Sequence, residues 1–138
     1  IDWSIMDYRY TTGYGKHRHT HKQTVAIANL KNEIPSFTLG PESFLHRLGN
    51  IVGLKDIDFE QYPVFSKNYY LKGKDEAAVK KLFDTEVIHL FEAKRSHKNI
   101  EANGKKMVYY QGHKRIKPKE LISFIDEAGN VVNLFDKS

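Results

Sequence analysis

The chain has 138 residues, 40% apolar and 12% aromatic, enough to fold as one ordinary domain around its own core, and this excludes wholesale disorder. It has no cysteine, which excludes disulfides, thiolate nucleophiles and Cys-ligated zinc. The net charge of +5 is unevenly placed, with seven Lys/Arg against seven Asp/Glu in residues 1–60 but fourteen against six in residues 67–119.

Residues 4–12 alternate, Met6, Tyr8 and Tyr10 on one side and Asp7 and Arg9 on the other, which predicts a strand. Gly13, Tyr14, Gly15 and Lys16 break it. Thr20–Leu30 resumes extended character through Thr24, Val25 and Ile27, so the pair reads as an antiparallel hairpin. Pro35 marks a turn, and residues 36–39 read as a short third strand. Pro41 then opens a helix whose stripe is Phe44, Leu45, Leu48 and Ile51, stopped at Gly49 or Gly53. Residues 54–63 read as a loop and Phe65–Leu71 as a strand.

Asp75 is the expected N-cap of a helix with Val79, Leu82 and Phe83 as its apolar stripe, and Asp84-Thr85-Glu86 reads as a second N-cap that bends or restarts it, with Val87, Ile88 and Phe91 continuing the stripe. Arg95–Asn99 reads as a basic loop. Asn103-Gly104 is the preferred dipeptide of a type I′ turn and predicts a second hairpin with arms 100–102 and 106–110. A basic turn over 112–117 leads to a last helix beginning at Pro118, with Leu121, Phe124, Ile125, Ala128 and Val132 on one face. Hairpins mixed with helices predict one α+β domain over residues 1–138, an antiparallel sheet built from hairpins with about three helices on one face.

The conspicuous stretch is Lys16-His17-Arg18-His19-Thr20-His21-Lys22. In a strand His17, His19 and His21 share a face, and neighbouring imidazoles can hold a metal ion. The outer two stand about 13 Å apart along an extended strand, so a further ligand such as His113 or Asp58 is needed. The alternative is a solvated cationic hairpin tip. Gly13 and Gly15 lack the spacing of a phosphate loop and lead into a strand, so turn geometry explains them. Asp56, Asp58 and Glu60 alternate with Ile57 and Phe59 and could bind a cation or act as an acid/base pair, or form the wet face of a short strand. No hydrolase signature is present, and no pattern calls for a cofactor.

A one-sided charge suggests an acidic partner. The candidate contacts are Lys105, Lys106, Lys114, Arg115 and Lys117, with Tyr69-Tyr70 and Tyr109-Tyr110 beside them as rings for base stacking or, alternatively, as core.

The strings Met6–Gly13, Gly15-Lys16, His21–Ala26, Asp56–Phe59, Leu71–Val79 and Lys117–Leu121 resemble a group of uncharacterised bacterial proteins. In that group a short membrane-spanning region precedes a soluble domain. The resemblance covers most of this chain and only the later part of such proteins. It implies an upstream segment, in keeping with the absence of a methionine at position 1; the expected location is membrane-associated, with this domain on the cytoplasmic side. It transfers no catalytic residue. His17, His19 and Tyr14 stand where similar proteins have shorter side chains.

The resulting expectation is a non-enzymatic binding or scaffolding domain of a membrane-anchored protein, meeting anionic lipid or an acidic protein. Nucleic-acid binding through the basic 67–119 region is the first alternative. A metal-binding domain or metal-dependent enzyme using the hairpin histidines is the second. An exposed edge strand would permit oligomers.

Overall fold

The computed structural model describes residues 2–42, 55–93, 98–112 and 114–136. The chain forms an α+β fold. Five antiparallel strands, β1 (Asp2–Thr12), β2 (His19–Pro41), β3 (Lys55–Asp56), β4 (Tyr69–Gly73) and β5 (Lys98–Gln111), share one sheet. The described helices are α1 (Pro63–Asn68), α2 (Glu76–Leu82), α3 (Thr85–Ala93) and α4 (Leu121–Phe135).

β2 is the spine. Its first half pairs with β1 from Asp2↔Asn29 to Thr12↔His19, and its last residues pair with β4 from Phe37↔Gly73 to Pro41↔Tyr69. β5 runs along the other edge of β2, and β3 closes the far side of β4. Alternation along the strands aims Ala26, Ala28, Phe37, Leu39, Leu71, Ile100, Met107 and Tyr109 at one face. The helices bury Phe65, Val79, Phe83, Ile88, Phe91, Phe124, Ala128 and Phe135 against it. Phe37 meets Phe83 edge-on at 5.0 Å and Phe135 at 5.4 Å, joining strand, α2 end and α4 in one aromatic core.

The helix starts follow the sequence closely. Asp75 Oδ1 accepts the Ala78 N–H at 3.1 Å, and Asp84 Oδ1 accepts the Val87 N–H at 3.0 Å, so both caps form and the chain restarts at Asp84 as a separate helix instead of bending. α4 runs through Gly129 and buries Phe124, Ala128, Val131, Val132 and Phe135.

Five expectations are corrected. β2 does not turn at Pro35 but continues to Pro41. Extra residues between Asn29 and Ile34, and between Ile34 and Phe37, bend it against β5. Gly40 and Pro41 belong to β2, and the helix stripe from Phe44 to Ile51 lies outside the described residues. Residues 63–68 are helical, because Pro63 opens a turn that buries Phe65, and the strand starts only at Tyr69. Asn103-Gly104 is not a hairpin turn. Gly104 has φ +64° but no described non-glycine residue has positive φ, so the type I′ requirement fails at Asn103. β5 runs through, Lys98 and Asn99 are strand rather than loop, and Gly104 sits opposite Ile34 at the bend.

Candidate binding surface

The last pair between β5 and β2 is Val25↔Tyr110, whereas β1 and β2 stay paired as far as Thr12↔His19. The β1–β2 hairpin therefore projects beyond the sheet as a two-stranded arm. Its root is clamped. Buried Thr24 donates its hydroxyl to Asp7 Oδ1 at 2.7 Å and accepts the Ile116 N–H at 2.8 Å. The Thr24 N–H reaches the Lys114 carbonyl at 3.1 Å, and Arg115 Nε donates to Asp7 Oδ2 at 3.1 Å. Beyond that root, none of residues 6–23 is buried.

The tip is closed by residues 13–18. Gly13 has φ +83°, and a Cβ there would run into the His17 carbonyl, so only glycine fits. The His17 N–H meets the Tyr14 carbonyl at 3.0 Å and the Arg18 N–H meets the Gly15 carbonyl at 3.3 Å. Tyr14 stands 92% exposed.

The two faces of the arm differ. One carries Tyr8, Tyr10 and His21. Tyr8 stacks on Tyr10 at 5.6 Å and Tyr10 on His21 at 4.8 Å, while His21 Nε2 lies 3.0 Å from Thr12 Oγ1. The other carries Arg9 and Lys22, which are direct cross-strand partners. Two like charges opposite each other destabilise a strand pair by a few tenths of a kcal/mol to about 1 kcal/mol. The nearest acid along that face, Asp7 at the root, is engaged by Thr24 and Arg115, and residues 8–32 contain no Asp or Glu. Among the described residues no ion pair includes Arg9, Lys16, Arg18 or Lys22.

The histidines on this arm do not converge. His17 lies in the tip, His19 and His21 follow in β2, and His21 is held by Tyr10 and Thr12. Asp58 follows β3, at the opposite end of the spine, and His113 lies outside the described residues. Among the described residues no three His, Asp or Glu side chains are grouped to hold a metal ion.

The 67–119 cations are dispersed. Lys105 and Lys106 lie at the bend of β5, while Lys114, Arg115 and Lys117 lie past its end, near the arm root. Among the described residues, five of these cations are paired: Lys72 with Asp56, Lys80 with Glu76, Lys98 with Glu127, Lys114 with Glu120 and Arg115 with Asp7. Tyr69 and Tyr109 belong to the core. Tyr70 is buried, its phenol pushed up to about 12 by burial and then by the Glu101 and Glu42 carboxylates. Burial also raises the Tyr110 phenol, which stands half-buried beside Glu101.

Asp56, Asp58 and Glu60 line an open cleft of about 670 Å³ between the loop after β3 and helices α2 and α3, with Phe59, Tyr62 and Phe83 on its walls. Three of its five acids have structural tasks: Asp56 pairs with Lys72, Glu76 with Lys80, and Asp84 caps α3. Comparison with protein-family models, curated proteins and solved structures gives no match.

The sequence marks a cationic hairpin tip, but the charge count over residues 1–60 hides the arm as a charged unit, because its cations cancel against acids elsewhere. The signal was the acid-free interval from Tyr8 to Asn32, which holds Arg9, Lys16, Arg18, Lys22 and Lys31.

Proposed function

We propose that this chain is a non-enzymatic binding module whose working part is the β1–β2 arm, and that its partner is a polyanion. The observation that carries this reading is the directly opposed Arg9–Lys22 pair, in no ion pair among the described residues, on a projecting ribbon without an acid beyond its root. Opposed cations raise the free energy of the unliganded arm, and an anion placed between them would relieve that repulsion. The membrane-anchored setting implied by the resemblance is part of this proposal and is compatible with such an arm.

Heparin chromatography tests it. The variant replaces residues 9–22 by an Asn-Gly turn joining Tyr8 and Gln23, which are already paired. The wild-type chain is expected to elute at clearly higher salt than this variant. Equal elution would place the anion-binding surface elsewhere.

A further inference from the structure

We infer that the polyanion is duplex nucleic acid of B-form geometry, and that the arm enters a groove instead of lying on a surface. This rests on the polyanion reading above and narrows it.

The dimensions fit. Five pairs, from Tyr8↔Gln23 to Thr12↔His19, stand clear of the root. At about 3.3 Å per residue they extend roughly 16 Å before the tip begins. The major groove of B-form DNA is about 12 Å wide and 8.5 Å deep and admits a two-stranded ribbon. A groove also explains why neither face of the arm is covered by the domain. Phosphates line both of its walls and base edges form its floor. Arg9 and Lys22 face one wall, and Lys16 and Arg18 lead the tip. Histidine, threonine and tyrosine groups on the remaining surface can meet base edges or phosphates.

Two observations separate this occupant from other polyanions. The rings of Tyr8, Tyr10 and His21 are stacked on one another, so Tyr10 between them is engaged and the open ring on the arm is Tyr14 at the tip, a single ring rather than a row of platforms. Single-strand binders keep such faces open for unpaired bases. Residues 9–22 also contain no Leu, Ile, Val, Phe, Trp or Met. The arm therefore has no aliphatic wedge to sink between acyl chains, as a membrane-seeking element would.

Fluorescence anisotropy of the full chain with a labelled DNA duplex of about 20 base pairs tests the inference. The comparison ligands are its separated strands, heparin, and vesicles of phosphatidylcholine with phosphatidylglycerol. If four cations meet phosphates, the slope of log affinity against log salt is about −3.6, a loss of about 10²-fold between about 50 mM and about 200 mM salt. Replacing Arg9 and Lys22 together by alanine halves that slope, to about −1.8, and reduces the loss to about 10-fold. Replacing Lys105 and Lys106 together by alanine leaves it unchanged.

Tighter binding of the duplex than of either strand, with the slope controlled by Arg9 and Lys22, is the expected result. Single strands bound as tightly as the duplex overturn the groove. Heparin or vesicles bound while the duplex is not overturn the inference and leave the polyanion reading standing. A slope controlled by Lys105 and Lys106 moves the contact to β5 and also overturns it. Failure of every anion to bind overturns both readings.

Discussion

The Lys98 side chain is fully buried, with Nζ 3.2 Å from Glu127 Oε1 and 5.8 Å from the centre of the Phe91 ring. Glu127 Oε2 accepts from Gln111 Nε2 at 2.7 Å, and Gln111 also reaches the Tyr109 hydroxyl at 3.3 Å. The cluster ties β5 to α4 through one charge pair. Replacing a buried pair with apolar groups is often neutral, but removing one partner leaves a desolvated charge. Glu127→Gln is therefore expected to cost about 3–5 kcal/mol in urea unfolding. Combining it with Lys98→Met should return stability to within about 1 kcal/mol of the parent. A single variant as stable as the parent would mean that the ammonium is solvated by another route. Among fourteen cations in residues 67–119, nothing in the sequence marks Lys98 as a buried one.

At the scale of elements, features set by neighbouring residues were legible and features set by a partner strand were not. Asp75 and Asp84 announce helix starts because a cap bonds within one turn. The α4 stripe was readable because its period is intrinsic to the helix. Pro35 and Asn103-Gly104 misled because each is a common turn signal. Here both lie where β2 and β5 bend against each other, a consequence of long-range register. The same reasoning applies to the site: the hairpin was legible, but its projection depends on where β5 stops pairing. The two glycine readings predict different mutants. Gly104 has φ +64° with open space where a Cβ would stand, so Gly104→Ala should cost about 1–2 kcal/mol from backbone strain alone. Asn103→Ala removes only an exposed 2.9 Å contact with Ser36 and should stay within about 0.5 kcal/mol. A true type I′ turn would strain both alanines, so comparable losses in thermal melts would restore the hairpin.

The whole molecule divides into a body with one core and an arm with none. The body's stability is coupled to pH through its tyrosines. Burial raises the Tyr70 phenol to about 12 and raises Tyr109 and Tyr110 as well, above the unfolded value near 10. The protonated phenols are thus favoured in the fold. Their contribution is complete below about pH 10 and is lost as pH rises towards about 12, where the unfolded chain ionises first. The melting temperature should fall across that window, and Tyr70→Phe should make the fall shallower; an unchanged slope would remove Tyr70 as a cause. The arm should behave in the opposite way, adding function and little stability. None of residues 6–23 is buried and none belongs to the core cluster. Replacing 9–22 by a two-residue turn removes fourteen residues, together with the Arg9–Lys22 repulsion and the Tyr10–His21 stack. These terms are each of order 1 kcal/mol or less and opposite in sign. The root bonds from Thr24 and Asp7 lie outside the replaced segment and hold the shortened hairpin in place. Its melting temperature is therefore expected within about 4 °C of the parent, the shift that about 1 kcal/mol produces in a domain near this size. A fall of more than about 10 °C would mean that the arm stabilises the body, and its exposed charges would then need a structural explanation.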